Sequence, residues 1–167
     1  MLSNFQIEKI AKDLKLKLPL ENILMKNELT KPKVNYNYII NLQSSYQGSG
    51  SHWTGLIVEQ HESFYFDSFG VEPSYEVIQF CKKMKPKHHL FYNNWIIQDL
   101  DSDLCGWYCI GLILYVSKLR KKYISLHECC NDYVNMFKDE TKDNAQVLKS
   151  FFKPYRIHYK NILMDND

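Results

Sequence analysis

The chain lacks a long uninterrupted apolar segment, and its first residues lack the basic stretch leading into an apolar run that marks a secretory signal. The longest apolar run covers residues 109–116 and is too short to cross a bilayer. Repeats and low-complexity linkers are also missing, and 167 residues of 45% hydrophobic composition suit one compact domain with its own core. We therefore expect a single domain over residues 1–167 that is not secreted and has no membrane partner.

A marked excess of either charge is missing as well, because the formal net charge is only +2. Composition alone thus gives no reason to expect a nucleic-acid partner. Basic residues are concentrated in two places, and the ordinary explanation of each cluster is a solvated face or helix end. The first cluster contains Lys82, Lys83, Lys85, Lys87, His88 and His89, and the second contains Lys118, Arg120, Lys121 and Lys122.

Cysteine is present, but without the spacing of a disulfide framework or a zinc site. Five cysteines are an odd number at irregular positions, which in a chain without a secretory signal favours free thiols. No Cys-x2-Cys pair exists, and the adjacent Cys129 and Cys130, even with His127, cannot readily share one tetrahedral ion. We expect no metal and at least one thiol that is free for chemistry.

Hydrophobic periodicity predicts a mixture of helices and strands. Helices are expected from the Ser3 or Asn4 cap to Leu14 and near residues 75–84, 105–119, 126–137 and 145–152. Strands are expected at residues 38–42, 53–58, 64–66 and 95–97, the second and third forming a hairpin. The fold class is therefore α+β, with a small, mainly antiparallel mixed sheet flanked by helices and a buried central helix that starts at Cys105.

Four residues form, in chain order, the set of groups that thiol hydrolysis needs. His52 supplies a base, Asp67 a carboxylate to orient it, Gln98 an amide for the oxyanion and Cys105 a nucleophile. In an antiparallel hairpin whose tip lies at residues 59–60, His52 and Asp67 are directly opposed, about 5 Å apart at Cβ. One imidazole nitrogen then faces the carboxylate and the other faces the thiol.

The start of the central helix favours a reactive thiolate at Cys105. The positive end of the helix dipole, unpaired backbone N–H groups and a neighbouring imidazolium all stabilise a thiolate. Gly106 removes a Cβ where a substrate carbonyl must approach, and the backbone N–H of Cys105 and the amide of Gln98 are candidate donors to the oxyanion. Each residue alone also has an ordinary explanation, and the other four cysteines are expected to be core residues.

These motifs carry a resemblance to a known clan. Ser51-His52-Trp53-Thr54, residues 66–70 (Phe-Asp-Ser-Phe-Gly), Gln98 and residues 105–109 (Cys-Gly-Trp-Tyr-Cys) resemble the cysteine peptidases that join the adenovirus maturation protease, adenain, with the SUMO-specific Ulp/SENP enzymes. Residues 7–14 resemble the N-terminal helix of adenain, and residues 24–29 resemble the segment before its first strand. The similarity covers about residues 7–116.

The resemblance implies a viral maturation endopeptidase of a small DNA virus, virophage or Polinton-like element. Cys105 would be the nucleophile, His52 the base and later the acid, Asp67 the orienting carboxylate and Gln98 the oxyanion-hole side chain. Substrates would be capsid or core precursors cut after a small residue, usually Gly, by a monomer inside the virion and the host cell. The expected substrate-binding residues are Trp53, Gly55, Gly50, Ser51 and Gly106.

Adenain takes a viral peptide and DNA as activators, and both remain candidate partners here. DNA contact is expected at Lys82, Lys83, Lys85 and Lys87, whereas residues 82–97 contain no cysteine for a disulfide-linked peptide. The alternative enzyme is a SUMO or ubiquitin-like deconjugating peptidase, although Leu104 stands where many of these have an acid. The alternative from another class is a catalytically silent scaffold or capsid-associated binding protein that retains the fold.

Overall fold

The computed structural model describes residues 1–155. Within them, helices surround one five-stranded sheet. The helices are α1 (Asn4–Asp13), α2 (Tyr75–Lys82), α3 (Cys105–Leu119), α4 (Leu126–Val134) and α5 (Asn144–Phe152), and the strands are β1 (Ile23–Met25), β2 (Tyr36–Asn41), β3 (Trp53–Val58), β4 (Glu62–Phe66) and β5 (His89–Tyr92).

The strands follow their chain order across the sheet, β1-β2-β3-β4-β5. The two central pairings, β2 with β3 and β3 with β4, are antiparallel, and each edge strand joins in the parallel direction. The α+β class and the mixed sheet are therefore confirmed. Parallel pairing needs a crossover connection, and the segment containing α2 supplies it between β4 and β5.

Both faces of the sheet are covered, which explains why β3 is buried along its whole length. Alternate residues of the strands point to opposite faces. On one face, Ile57 and Phe64 join a core formed with α1, α3, α4 and α5. On the other face, Leu56 and Tyr65 pack with residues of α2 such as Phe80. The sheet is thus the middle layer of three.

Helix α3 is the central element of the larger core, and both of its ends lie where the sequence predicts them. Residues 105–116 are all buried, which accounts for their continuous apolar sequence. Gly111 permits a close approach of α4, because a Cβ there would lie 2.4 Å from the Tyr133 hydroxyl oxygen. Within residues 1–155, no helix combines the length and apolarity needed to traverse a membrane.

Two details of the expected layout are wrong. The segment at residues 95–97 is not a strand, because the backbone N–H of Ile97 donates to Ser68 O (2.9 Å) outside the sheet ladder. The hairpin register also differs, since Val58 is opposed to Ser63 and Gly55 to Phe66. The tip therefore lies at residues 60–61, one residue later than expected. In addition, the short edge strand β1 was not expected from the sequence.

Candidate active site

The side chains of His52 and Asp67 meet beyond the ends of β3 and β4. Imidazole Nε2 lies 2.9 Å from Asp67 Oδ1, and the carboxylate is fully buried. The observed register makes this contact diagonal, because Asp67 extends the strand opposite Thr54 rather than opposite His52. The predicted contact is therefore present, although the predicted direct opposition is wrong.

Asp67 Oδ1 also accepts a hydrogen bond from the backbone N–H of Phe69 (2.8 Å), which closes a tight turn after β4. The same turn brings the Phe69 ring against the His52 ring, with centroids 4.8 Å apart and planes 24° from parallel. The imidazole is thus fixed by a hydrogen bond at one edge and by a stacked ring on one face.

The pKa of His52 is raised to about 9. Burial is the largest single influence and lowers the pKa, since it disfavours the charged ring. Hydrogen bonds and charge interactions with Asp67 and with the Cys105 thiol act in the opposite direction and outweigh it. Because Nε2 is engaged by Asp67, the Nδ1 edge is the one available to the sulfur. One imidazole therefore links a buried carboxylate to a cysteine.

Cys105 is the first residue of α3 and is only 3% exposed. The N-cap residue is Leu104, whose side chain forms no hydrogen bond to the start of the helix. The backbone N–H groups of the first turn therefore have no capping partner from that residue. The backbone N–H of Trp53 donates to Cys105 Sγ at 3.5 Å. The sulfur thus lies at the positive end of a helix dipole and beside a further donor, two features that favour a thiolate.

Gln98 is buried beside the loop that leads into α3. Its Nε2 donates to Ser102 O (2.8 Å), and its Oε1 accepts from Ser68 Oγ (2.6 Å). The backbone N–H of Gln98 donates to Ser68 O (3.1 Å). The amide is therefore held between the turn that follows β4 and the residues that precede Cys105, and one N–H of Nε2 is not used by Ser102.

Asn93 is a buried member of the site that the sequence reasoning missed. Its Oδ1 accepts from the backbone N–H of Asp67 (3.0 Å), and its Nδ2 donates to the Asp67 carbonyl (2.7 Å). This pair of bonds continues, through a side chain, the ladder between β4 and β5. The sequence carries no signal for this role, because the contacts of Asn93 with Asp67 form only when β4 and β5 come together.

The glycine- and serine-rich loop, residues 43–51, delivers His52 and contains Gly50 and Ser51. Asn41 Oδ1 accepts from the backbone N–H of Ser51 (3.1 Å), and Gln43 Oε1 accepts from that of Gly50 (2.8 Å). Gly50 has φ +117°, and a Cβ there would lie 2.7 Å from Asn41 Nδ2. Glycine is thus required at this position by backbone conformation and by space.

Gly55, one of the expected substrate contacts, lies inside the fold. It is a buried position of β3, and a Cβ there would lie 3.8 Å from atoms of Cys109 and Phe66. Gly106 is also covered by the protein itself, because a Cβ would lie 3.3 Å from Leu2. The space above Gly106 is therefore occupied by the first residues of the chain rather than open to a ligand.

Trp53 contacts the Cys105 thiol through its backbone and also lines a cleft. Its indole N–H donates to Leu2 O (2.8 Å), and its side chain is buried. The cleft has a volume of about 320 Å³ and is bounded by the first residues of the chain, by β1 and by Ser45 and Ser49 of the loop. The predicted role of Trp53 in substrate binding stays a prediction.

The lysines that are expected to contact DNA lie outside the site formed by His52, Asp67 and Cys105. The basic residues Lys82, Lys83, Lys85 and Lys87 are exposed at and after the end of α2. All five cysteines are free and buried. Within the described part of the chain, no group of three His, Cys, Asp or Glu side chains is placed to hold a metal ion.

Structural comparison shows that solved proteins share this fold. The chain is similar to the ASFV pS273R protease, with TM-score 0.61 and 17% identity over 94% of this chain and 68% of that one. It is also similar to AvrA in a structure with IP6 and CoA, with TM-score 0.51 and 15% identity over 89% of this chain and 66% of that one.

The SUMO protease Ulp1 gives TM-score 0.48 and 15% identity over 88% of this chain and 78% of that one. The chain thus spans about two thirds of the length of the ASFV and AvrA chains. No family model matches the sequence, and no curated protein matches it. At such low identity the similarity establishes the fold, and the reaction is inferred from the site.

Proposed function

We propose that the protein is a cysteine peptidase with Cys105 as nucleophile, His52 as general base and acid, and Asp67 as the orienting carboxylate. The observation that carries this proposal is one imidazole bound on one side to a buried carboxylate and on the other to a thiol at a helix start. This is the arrangement that activates a cysteine for acyl transfer.

The reaction divides into acylation and deacylation. The thiol proton has passed to His52 before the substrate reacts, and the resulting thiolate attacks the carbonyl carbon of the scissile amide to form a tetrahedral oxyanion. The protonated imidazole then gives its proton to the departing amine, which leaves an acyl thioester on Cys105. Water, deprotonated by the same imidazole, hydrolyses the thioester, releases the carboxylate product and restores the thiol.

The oxyanion is stabilised by two donors. The backbone N–H of Cys105 belongs to the unpaired first turn of α3. The second donor is the Nε2 proton of Gln98 that Ser102 does not use. Donors that are fixed before the reaction stabilise the transition state without reorganisation, and one such donor typically contributes about 10²–10³-fold in rate.

We propose that the natural substrates are viral capsid or core precursors, cut after glycine by a monomer within the virion or the infected cell. The sequence resemblance to adenain and the fold shared with the ASFV pS273R protease support a viral role. Trp53, Gly50 and Ser51, which lie beside the thiol or in the loop before His52, are the proposed substrate contacts.

DNA is proposed as an activator that binds the cluster Lys82, Lys83, Lys85 and Lys87. Their exposure on one end of α2 and the turn that follows it supports contact with phosphates. If this proposal is correct, a Lys85→Glu and Lys87→Glu double variant loses any stimulation by DNA and keeps its activity without DNA. A viral peptide is a second proposed activator, and adding it to the wild-type assay in place of DNA tests it.

The test of the proposed function uses two kinds of substrate. Purified protein is incubated with the coat precursors of the source element and with SUMO and ubiquitin C-terminal probes, and the products are analysed by mass spectrometry. Cleavage of precursors after glycine is expected, and Cys105→Ala removes it. Reaction with the probes alone indicates a deconjugating peptidase instead, and reaction with neither contradicts the peptidase proposal.

A further inference from the structure

The turn of residues 67–70, Asp-Ser-Phe-Gly, contacts both halves of the proposed catalytic apparatus. Asp67 and Phe69 hold the imidazole of His52, as described above. Ser68 lies between them, is fully buried, and points its hydroxyl in the other direction, to Gln98. The proposed roles of Cys105, His52 and Asp67 do not account for a buried hydroxyl that contacts Gln98.

The hydrogen bonds around Gln98 determine which way its amide faces. Ser102 O is a backbone carbonyl and can only accept, so the amide group 2.8 Å from it must be the NH2. In the flipped orientation, Gln98 Oε1 would lie at this distance from Ser102 O, and two acceptors would face each other without a proton between them. Oε1 therefore faces Ser68, and the Ser68 hydroxyl, at 2.6 Å, must be the donor.

The backbone of the same serine also holds Gln98. Ser68 O accepts from the backbone N–H of both Ile97 (2.9 Å) and Gln98 (3.1 Å). Gly70 allows this segment to lie flat against the turn, because a Cβ there would be 2.7 Å from the Trp95 backbone. The main chain of Gln98 is therefore fixed by Ser68 O, and the rotation of its amide is fixed by Ser68 Oγ.

We infer that Ser68 is a positioning residue that fixes the Gln98 amide as the oxyanion donor. The inference rests on the proposed function, because it assigns a role within that same site. Without the hydroxyl, buried Oε1 loses its donor, and the amide rotates away from the single orientation that serves both Ser102 and the oxyanion. Ser68 acts on transition-state binding and not on formation of the thiolate.

Ser68→Ala is the test, with Ser63→Ala as its matched control. Ser63 is also buried and lies on β4, just before the turn that contains Ser68, but its hydroxyl contacts His88 (2.7 Å), away from the site. For a fluorogenic peptide amide with glycine at the cleaved bond, Ser68→Ala is expected to lower kcat by at least about tenfold, bounded by the loss of about 10²–10³-fold in Gln98→Ala. Ser63→Ala should retain wild-type kcat.

Two further measurements separate positioning from a structural effect. Alkylation of Cys105 by iodoacetamide needs no oxyanion hole, so its rate should be unchanged in Ser68→Ala, whereas affinity for a glycinal peptide aldehyde should fall with kcat. In the Gln98→Ala background, adding Ser68→Ala should change kcat by less than about twofold. Equal losses in alkylation and turnover, or additive losses in the double variant, overturn the inference.

NMR of the wild-type protein keeps this inference distinguishable from the proposed function. A fixed, buried amide predicts slow exchange of the Gln98 Nε2 protons with solvent deuterium, and this exchange should become faster in Ser68→Ala but not in Ser63→Ala. Fast exchange in the wild type would contradict the role of Ser68 whether or not peptides are cleaved. Failure of the peptidase proposal is instead seen as wild-type protein that cleaves no peptide while the Gln98 protons stay protected from exchange.

Discussion

Cys105 and Cys109 are one turn apart on α3 and contact opposite ends of the same residue, Trp53. The backbone N–H of Trp53 donates to Cys105 Sγ, and the thiol of Cys109 donates to Trp53 O, each at 3.5 Å. Only Cys105 has an imidazole partner and a place in the first turn of the helix. Burial raises the pKa of the Cys109 thiol well above its ordinary value. Two residues of the same type and on the same helix thus have different chemical surroundings.

The largest expected effect comes from removing each thiol in turn. Cys105→Ala should lower peptide turnover by at least about 10⁴-fold, since no other group can form the acyl thioester. Cys109→Ala should retain turnover within a few-fold and lose stability, because it leaves a small cavity in the core. Initial rates and thermal unfolding of the two variants measure the contrast. Comparable rates in the two variants would remove the distinction between the cysteines.

The next effect concerns the carboxylate that distinguishes the Cys105 side. Asp67→Asn is expected to lower kcat by about 10²–10⁴-fold, because the amide no longer stabilises the imidazolium or its tautomer. Glu62→Gln is the matched control, since Glu62 Oε2 contacts His127 Nδ1 at 2.7 Å in a pair remote from the thiol. Steady-state kinetics should show a normal kcat for the control. A normal kcat for Asp67→Asn would exclude the orienting role.

A smaller difference is expected in alkylation. Iodoacetamide at neutral pH should modify Cys105 at least about tenfold faster than Cys109, since the attacking species is the thiolate. Peptide mapping by mass spectrometry after short exposure gives both rates in one sample. The His52→Ala variant should lose most of the advantage of Cys105, and equal rates in the wild type would argue against an activated thiol.

The pH dependence of kcat/KM tests the imidazole partner that distinguishes Cys105 from Cys109. The pKa of His52, about 9, lies above the ordinary value of 6.5, so the imidazolium should persist through neutral pH and be lost as pH rises through about 9. We expect kcat/KM to fall about tenfold per pH unit beyond that point. The stabilising effect of the protonated ring is present in full below pH 6.5 and is lost over the same rise. An activity limb near pH 6.5 instead would contradict the coupling to Asp67.

The smallest effect is expected at Gly55. A Cβ there meets Cys109 and Phe66 at 3.8 Å, an ordinary contact, so Gly55→Ala should change the free energy of unfolding by less than about 1 kcal/mol. Turnover should stay within a few-fold of the wild type. Kinetics with the fluorogenic peptide and a urea titration measure both quantities. A rise in KM without a change in kcat would instead support the substrate contact that the sequence suggests for Gly55.

Much of the fold was predictable because periodicity and length are strong signals. The helix at α3 and the strand β3 have the predicted limits, since one is a long apolar run and the other a short one between polar segments. The strand β1 was not predicted, because three residues are too few to show an alternation of apolar and polar side chains. Residues 95–97 are apolar and β-branched in part, but tertiary contacts with Ser68 determine their conformation.

The candidate site was predictable to the extent that its residue types are chemically distinctive. His52, Asp67 and Cys105 meet as expected, although the hairpin register that predicted the meeting was shifted. Roles that depend on contacts made only after folding left no such signal. Asn93 and Ser68 are ordinary polar residues in the sequence, and only the structure shows that they hold Asp67 and Gln98.

The loop of residues 43–51 is braced by its own amide side chains before any ligand arrives. Gln43 Nε2 donates to Gln47 O (3.1 Å), and Gln47 Oε1 accepts from the Ser44 backbone (2.8 Å). Ordering a loose loop costs conformational entropy at the moment of association. In residues 43–47 part of that loss has already occurred during folding, so this segment of the loop holds its shape without a bound partner.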